Sequence, residues 1–313
     1  MQLQAAFDTT RPFGVEIETV GNRNISGIQI ARALNAAGIL TENQGYNHRD
    51  VSIWKIVPDV TCGLEIVSPK LYGADGLEQI KTVCQVLTGL GLTVNHTTGL
   101  HVHHDASDVT GKQMKSLLNL SVKAQPFMDA LLPSRVGSRW CAPITASAVR
   151  AIERSVMPSD RGSARYYAQG FNRVLGRYHT VNLSAYFGHG TIEFRAHTGS
   201  LNPMKIAAWV ILTQGMLNAA MAKNFTSASF KSVNAKGEGA NEARHLFWTL
   251  GVARDCEATK AARKHIAARV QGRVSVAEAS RARLEVSDRP PTYDPLYWEQ
   301  QRQHTRGNRP LVS

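Results

Sequence analysis

Short segments in which apolar and polar residues alternate recur along the first two-thirds of the chain and predict β-strands. The segments are rich in β-branched or aromatic residues, and Gly, Pro, Asn or Asp bound them. They are FGVEIET at 13–19, SIWKIV at 52–57, LEIVS at 64–68, LTVNH at 92–96, LHVHHD at 100–105, HTVNLSAY at 179–186 and TIEFRAH at 191–197. Tight turns separate many of them, which favours antiparallel pairing.

Between these segments, apolar residues at spacings of three or four predict helices. One helix is expected over residues 26–37 with Ser26 as its N-cap, and another over 75–90. The sequence TGKQ at 110–113 is a capping box that opens a third helix. Asn202 and Pro203 begin a fourth, over 204–221. Strands with helices packed on one face of the sheet predict an α+β fold.

The character of the chain changes near residue 222, which predicts three regions. Residues 1–222 hold the alternating strands and helices and are expected to form the folded domain. Residues 223–286 begin as a loop rich in Ser, Gly, Asn and Lys and continue as a helical extension, with a second capping box at 275–278. Residues 287–313 form a basic, Pro-rich tail with too little apolar surface to order by itself.

Charge is distributed unevenly along the chain. Residues 1–110 hold 7 Lys+Arg against 11 Asp+Glu, a net charge of −4, whereas residues 111–313 hold 29 against 13, a net charge of +16. Carboxylates in the first part suit a hard cation, and arginines in the second suit phosphate. A solvated surface with a basic tail is the alternative explanation.

Composition also narrows the class of protein. No apolar run approaches the roughly 18 residues of a membrane span, and the first residues do not resemble a signal peptide, so a cytoplasmic location is expected. The four cysteines are far apart and form no CxxC pair, so we expect free thiols.

Several predicted strands place charged or imidazole groups on one face. Alternation puts Glu16 with Glu18, puts Glu193 with Arg195, and puts His101 and His103 on one face together with Asp105. Glu65, with Asp59 in the turn before it, completes the set. An amphipathic edge strand or a cross-strand salt bridge explains each pair separately. Together, carboxylates with one or two imidazoles suit Mg²⁺ or Mn²⁺ better than zinc.

The order of these motifs resembles the amidoligase family, which belongs to the carboxylate–amine ligase superfamily of glutamine synthetase and glutamate–cysteine ligase. The motifs are FGVEIE, a tryptophan block ending in EIVSP at 54–69, TTGLHVHHD, RYxxxNL at 177–183, and TIEFRAHTGSLNP at 191–203. The resemblance runs from about residue 13 to 221. It implies a curved antiparallel sheet whose helices pack on its convex face and whose concave face binds ATP and two or three Mg²⁺ or Mn²⁺ ions.

The resemblance also implies roles for individual residues. The metal ligands would be Glu16, Glu18, Glu65, His101 and Glu193. ATP and its phosphates would be contacted by His103, Asn182 and Arg195, and the catalytic clamp on the transferred phosphoryl group would be Arg195 with Arg177. The Arg-rich stretch 134–178 and everything after about 222 have no counterpart in the family pattern.

The implied activity is an ATP- and Mg²⁺- or Mn²⁺-dependent ligase that forms an amide bond between a carboxylate and an amine through an acyl phosphate. Two alternatives stay open. One is a metal-dependent hydrolase with the same ligands. The other is a nucleic-acid-binding or partner-binding protein on a degenerate ligase fold, using the basic C-terminal half. The substrates could be an amino acid, a peptide or protein tail, or a modified base or polyamine.

Overall fold

A computed structural model of the protein describes residues 7–20, 25–45, 52–59, 62–226 and 257–270. One seven-stranded sheet runs in the order β2-β3-β4-β1-β5-β7-β6. Its strands are β1 Phe13–Thr19, β2 Thr41–Asn43, β3 Trp54–Asp59, β4 Gly63–Val67, β5 Gly99–Asp105, β6 Val181–Asn182 and β7 Thr191–Thr198. All neighbouring strands are antiparallel except β2 and β3. The predicted α+β class is confirmed. The curvature of the sheet and the convex placement of the helices stay predictions.

Eight α-helices lie in the described part of the chain: α1 Gly27–Ala36, α2 Gly73–Gly89, α3 Gly111–Leu131, α4 Ala146–Ser155, α5 Ala164–Val174, α6 Ala185–His189, α7 Pro203–Ala222 and α8 Glu257–Val270. Three predicted N-terminal caps are present. Ser26 and Thr110 each form a reciprocal capping box, and the Asn202 side chain accepts a hydrogen bond from the Lys205 backbone N–H.

The two faces of the sheet differ in polarity, as the period-2 pattern of its strands requires. Val15 and Ile17 of β1 are buried in the core, and in the strand register they lie opposite apolar residues of the neighbouring strands. Helix α7 packs on this apolar face, where His104 of β5 contacts Thr213. The other face carries the carboxylates and imidazoles of β1, β4, β5 and β7.

A β-bulge in β7 interrupts the alternation beside the polar residues. Val102 pairs with Phe194, but Leu100 pairs with His197, so β7 has one residue more than β5 between these pairs. As a result His197 turns to the apolar face, where its ring centroid lies 5.3 Å from that of Trp209. The bulge contains Arg195, and bulges of this kind re-aim side chains next to active sites.

The helix after the folded domain is joined to the same core. Ala262 and Ile266 of α8 are buried within the apolar cluster that includes Trp209 of α7. The division into regions 1–222, 223–286 and 287–313 stays a prediction. The capping box at 275–278 and the tail 287–313 lie outside the described residues, as does Cys256, whereas Cys62, Cys84 and Cys141 are free and buried.

Two predicted strands are wrong in extent. The segment 92–96 contributes a single bridge between Thr93 and Val20 rather than a strand, because the chain turns at Asn95, whose Oδ1 accepts from the Thr97 N–H at 2.8 Å. In the segment 179–186 the strand covers Val181–Asn182, and the chain then turns into α6. The short strand β2 and the helices α4 and α5 were not predicted. Among the described helices, none is long and apolar enough to cross a membrane.

The buried His104 gives a prediction about acid stability. Thr213 Oγ1 lies 2.9 Å from the Trp209 carbonyl, to which it donates, so it accepts from His104 Nε2 at 2.8 Å. Nδ1 has no partner among the described residues. Burial, reinforced by the charges of Arg11 and His103, lowers the pKa of His104 to about 3. The fold therefore holds this imidazole neutral.

The pKa of His104 is lower in the folded protein than in the unfolded chain. Its contribution to the free energy of unfolding is therefore fully present above about pH 6.5 and decreases as the pH drops toward 3. The cost is about 1.4 kcal/mol per pH unit in that window, or about 2 kcal/mol between pH 7 and 5. His104→Gln should remove this dependence. Urea unfolding of both proteins at pH 7 and pH 5 measures the difference; equal losses of unfolding free energy would show that His104 does not titrate in this way.

Candidate active site

A cluster of carboxylates and one imidazole occupies the middle of the polar face; we call it the carboxylate cluster. It consists of Glu16, Glu18, Glu65, His101 and Glu193. The strand register pairs Glu18 with Glu65, Glu16 with His101, and His103 with Glu193. All five residues that the sequence proposed as metal ligands therefore meet at one place, on β1, β4, β5 and β7.

His101 lies at the centre of the cluster and is 4% exposed. Its Nδ1 is 2.8 Å from Glu16 Oε2 and 3.5 Å from Glu193 Oε1, while its Nε2 is 3.6 Å from Glu18 Oε1. The two ring nitrogens thus face different carboxylates. In metal sites a histidine commonly ligates with one nitrogen while a carboxylate orients the other.

The backbone approaches the cluster closely at Gly99. Its N–H donates a hydrogen bond of 2.6 Å to Glu18 Oε2. A Cβ at position 99 would lie 2.9 Å from His101 Nε2 and 3.4 Å from Glu18. Glycine at this position therefore lets the imidazole and the carboxylate lie next to the strand.

Two polar neighbours hold Glu193, which is 4% exposed. The Arg195 guanidinium donates to Glu193 Oε1, and Asn182 Nδ2 donates to Oε2 at 2.6 Å. Asn182 Oδ1 in turn accepts from the Ser184 backbone N–H at 2.8 Å. Asn182 therefore orients a carboxylate of the cluster while its Oδ1 is held by the backbone of Ser184.

His103 lies beside the cluster. Its Nδ1 is 2.9 Å from Thr191 Oγ1, and its Nε2 is 3.3 Å from Glu16 Oε1. Burial would lower the pKa of His103, but the charges of Glu16 and Glu193 and the contact with Glu16 raise it. The ring of His189 packs edge-on against His103, with 5.9 Å between centroids.

The carboxylates differ in their preferred protonation states. Burial would raise the pKa of Glu16, yet His103 and His101 hold it well below its usual range. Burial likewise opposes ionisation of Glu193, but Arg195 lowers its pKa. For Glu65, burial and the negative charges of Glu16, Glu18 and Asp59 act together and raise the pKa well above its usual value. A cation near Glu65 would relieve this repulsion.

The donor set fits Mg²⁺ or Mn²⁺. The ligand atoms of Glu16, His101 and Glu193 lie within 4.8 Å of one another, and so do those of Glu18, Glu65 and His101. Carboxylate oxygens dominate both groups, as hard divalent cations require, and no cysteine takes part. The two groups share His101, which places two candidate cation positions on either side of one imidazole.

A cavity of about 440 Å³ opens next to the cluster. Glu16, Glu65, His103, Asp105 and Thr191 line it from the strands, together with Ser68, Lys70, and two residues that the sequence analysis did not single out, Lys55 and His189. Lys55 is 5% exposed, and alternation along β3 places it on the polar face with Asp59, a signal that could have identified it. The volume suits a small ligand or the end of a larger one.

Arg177 and Asp59 lie at the edges of the site. Arg177 is exposed, and its Cζ lies 5.0 Å from the Tyr178 ring centroid; Arg195 Cζ lies 5.9 Å from the same ring. Arg177 is therefore not among the residues in direct contact with the cluster. Asp59 accepts from the Cys62 backbone N–H at 3.0 Å and contributes negative charge near Glu65.

Comparison with known proteins identifies the family of the chain. Residues 9–217, about two-thirds of the chain, match the family model described as "Putative amidoligase enzyme". The chain belongs to this family. The family predicted from the sequence motifs is thereby confirmed, and the matched residues include every member of the carboxylate cluster as well as His103, Asn182 and Arg195.

No curated protein matches this amidoligase. Among solved structures, it is similar to the crystal structure of the prokaryotic ubiquitin-like protein Pup in complex with its ligase PafA, with 11% sequence identity and a TM-score of 0.35. The match covers 88% of this chain and 65% of that chain, less than two-thirds of its length.

The contacts of Asn182 give a prediction about metal affinity. Asn182→Ala leaves Glu193 Oε2 and the Ser184 N–H without their partner, so we expect Mn²⁺ affinity to fall by about 10-fold or more and stability by about 1–3 kcal/mol. The matched control is Asn202→Ala, which removes an exposed asparagine whose Oδ1 accepts from the Lys205 N–H at the start of α7 and which costs a similar amount of stability. Calorimetric Mn²⁺ titration of both variants decides: equal affinities would show that Asn182 does not position Glu193.

Proposed function

We propose that this amidoligase is an ATP- and Mg²⁺- or Mn²⁺-dependent ligase that joins a carboxylate to an amine. The observation that carries the proposal is the carboxylate cluster: two candidate cation groups share one buried histidine, with the Arg195 guanidinium and a ligand-sized cavity beside them. The cluster lies in a chain of an amidoligase family. Use of ATP agrees with the expected cytoplasmic location.

In this proposal the cluster residues hold the cations, two or three in number. Glu16 and Glu193 form one position and Glu18 and Glu65 form the second; His101 would ligate at one of them through one ring nitrogen, while a carboxylate of the other group orients its second nitrogen. When bound, Mg²⁺ or Mn²⁺ would neutralise the phosphate oxygens of ATP and reduce the repulsion that opposes attack on the γ-phosphorus.

The remaining polar residues bind and orient the nucleotide. Arg195, 13% exposed in its side chain, presents a planar guanidinium that can clamp the transferred phosphoryl group. His103 faces the cavity and can donate to a phosphate oxygen of ATP. Asn182 fixes the Glu193 carboxylate beside Arg195. Arg177 is assigned a supporting role in the clamp because it lies against the Tyr178 ring, which Arg195 also approaches.

The reaction needs two steps because a carboxylate is a poor acylating agent. Its oxygen first attacks the γ-phosphorus, the bond to the bridging oxygen of ADP breaks, and an acyl phosphate forms. The amine nitrogen then attacks the acyl carbon, phosphate leaves with the bonding electron pair, and the amine releases a proton. This chemistry depends mainly on positioning and on electrostatic stabilisation, which a rigid sheet surface supplies.

Metal-dependent release of ADP tests the proposal. Purified protein with candidate carboxylates and amines should convert ATP to ADP when Mg²⁺ or Mn²⁺ is present, and chelation with EDTA should abolish the conversion because the cluster then lacks its cations. A coupled ADP assay with metal restoration after EDTA is the measurement. Metal-dependent hydrolysis of amides without ATP would contradict the ligase and favour the hydrolase.

A further inference from the structure

The α5–α6 surface is basic and includes Phe187, two residues before His189, which lines the active-site cavity. We define it by five exposed residues, which are Arg165, Tyr166, Gln169 and Arg173 of α5 and Phe187 of α6. Gln169 lies three residues after Tyr166 and four after Arg165, and Arg173 lies four after Gln169, so the four α5 members share one face of the helix. Helix α5 has two arginines and no acidic residue, and neither arginine forms an ion pair with any described residue. The surface therefore carries uncompensated positive charge.

Aromatic groups lie between these arginines. Tyr166 is 48% exposed and Phe187 is 44% exposed, whereas Tyr167 and Phe171 of the same helix are buried in the core. The Arg165 guanidinium lies 5.9 Å from the Phe187 ring centroid. Arginines next to exposed aromatic rings are the side chains that protein interfaces favour at their centres.

A short chain of contacts joins helix α5 to the carboxylate cluster. Asn172 of α5 contacts the Ser184 hydroxyl, and the Ser184 N–H donates to Asn182, which holds Glu193. Helix α6 ends at His189, which lines the cavity two residues after Phe187. A chain bound along α5 could therefore place one of its groups in the cavity.

We infer that the α5–α6 surface docks an acidic polypeptide segment whose carboxylate or amine group enters the active-site cavity as a substrate. The inference rests on the proposed ligase function, because that reaction consumes a carboxylate and an amine. Polypeptides carry both groups on side chains and termini, whereas unmodified nucleic acids offer no carboxylate. The positive charges of Arg165 and Arg173 favour acidic segments. The exposed rings of Tyr166 and Phe187 favour segments that also contain apolar residues.

Fluorescence anisotropy tests the inference directly. The probe is a fluorescein-labelled peptide of about 12 residues, roughly 40 Å when extended, that repeats glutamate, glutamate, phenylalanine and glycine. Arg165→Ser with Arg173→Ser should weaken binding by about 10-fold, and Phe187→Ser should weaken it further. The matched control is Arg32→Ser with Arg150→Ser, two exposed arginines outside the surface, with an expected change of about twofold or less. Melting temperatures verify that each variant is folded.

Three outcomes would overturn the inference: equal weakening in the control pair, no effect of Phe187→Ser, or tighter binding of a labelled single-stranded RNA that the same surface variants abolish. Metal-dependent ADP release by the unmodified protein is measured in parallel. Peptide binding through the surface without ADP release would contradict the ligase and retain the docking surface. ADP release without surface-dependent peptide binding would contradict the docking surface alone.

Discussion

Replacing Glu16 and Glu18 together with glutamine should abolish Mn²⁺ binding while leaving the protein folded. Both side chains keep their shape and can still accept hydrogen bonds, Glu16 from His101 and Glu18 from the Gly99 N–H. They lose the charge that holds a hard cation. We expect the affinity for Mn²⁺ to fall by about 100-fold or more. Removing a residue that only hydrogen-bonds a metal ligand typically lowers metal affinity about 10–100-fold, and losing the ligands themselves should cost more.

The matched control is Glu42→Gln with Glu78→Gln, which removes two exposed carboxylates on β2 and α2. It changes the net charge by the same amount outside the cluster. Calorimetric Mn²⁺ titration of both double variants separates a specific site from a general loss of negative charge. Unchanged affinity in the Glu16 and Glu18 variant would remove these residues from the metal site.

Replacing Arg195 with lysine should lower kcat by about 100-fold with little loss of stability. A lysine keeps the positive charge beside Glu193 but cannot reproduce the planar, two-pronged donor of the guanidinium. If the arginine serves only as the partner of Glu193, the effect should appear in the melting temperature instead. Turnover per folded molecule and thermal unfolding therefore distinguish the two roles.

Arg11 is an arginine whose contacts are structural, so it serves as a control for Arg195. Its guanidinium donates to both Asp108 carboxylate oxygens at 2.8 Å and to the Asp105 carbonyl at 2.7 Å, which is a structural arrangement. Arg11→Lys should lower the melting temperature and leave turnover per folded molecule unchanged. If Arg195→Lys behaved in the same way as Arg11→Lys, the clamp assignment would be wrong.

Much of the cluster follows from local sequence pattern. Period-2 alternation requires Glu16 and Glu18 to share a face with Val15 and Ile17 opposite, whatever the fold. The capping box at Thr110 is equally local. Which strands become neighbours is a property of the whole chain, and here the family motifs rather than the alternation predicted that Glu65 and Glu193 would join the cluster.

Features that depend on register between strands were not predictable from one segment. The β7 bulge turns His197 to the apolar face because the pairing with β5 shifts by one residue, and nothing in TIEFRAH alone marks that shift. His189 reaches the cavity from the end of a five-residue helix that has no periodic pattern. In the Arg-rich stretch, the spacing of the apolar residues Val149 and Ile152 is a local signal for helix α4, in which both are buried.

The most direct test of the ligase is a mass-spectrometric search for its product. The unmodified protein is incubated with a lysate, ATP and Mg²⁺, in parallel with the Glu16→Gln and Glu18→Gln double variant. The account predicts a species whose mass equals two components minus one water, formed with ADP and phosphate and absent from the variant. Products that gain one water and form without ATP would contradict it.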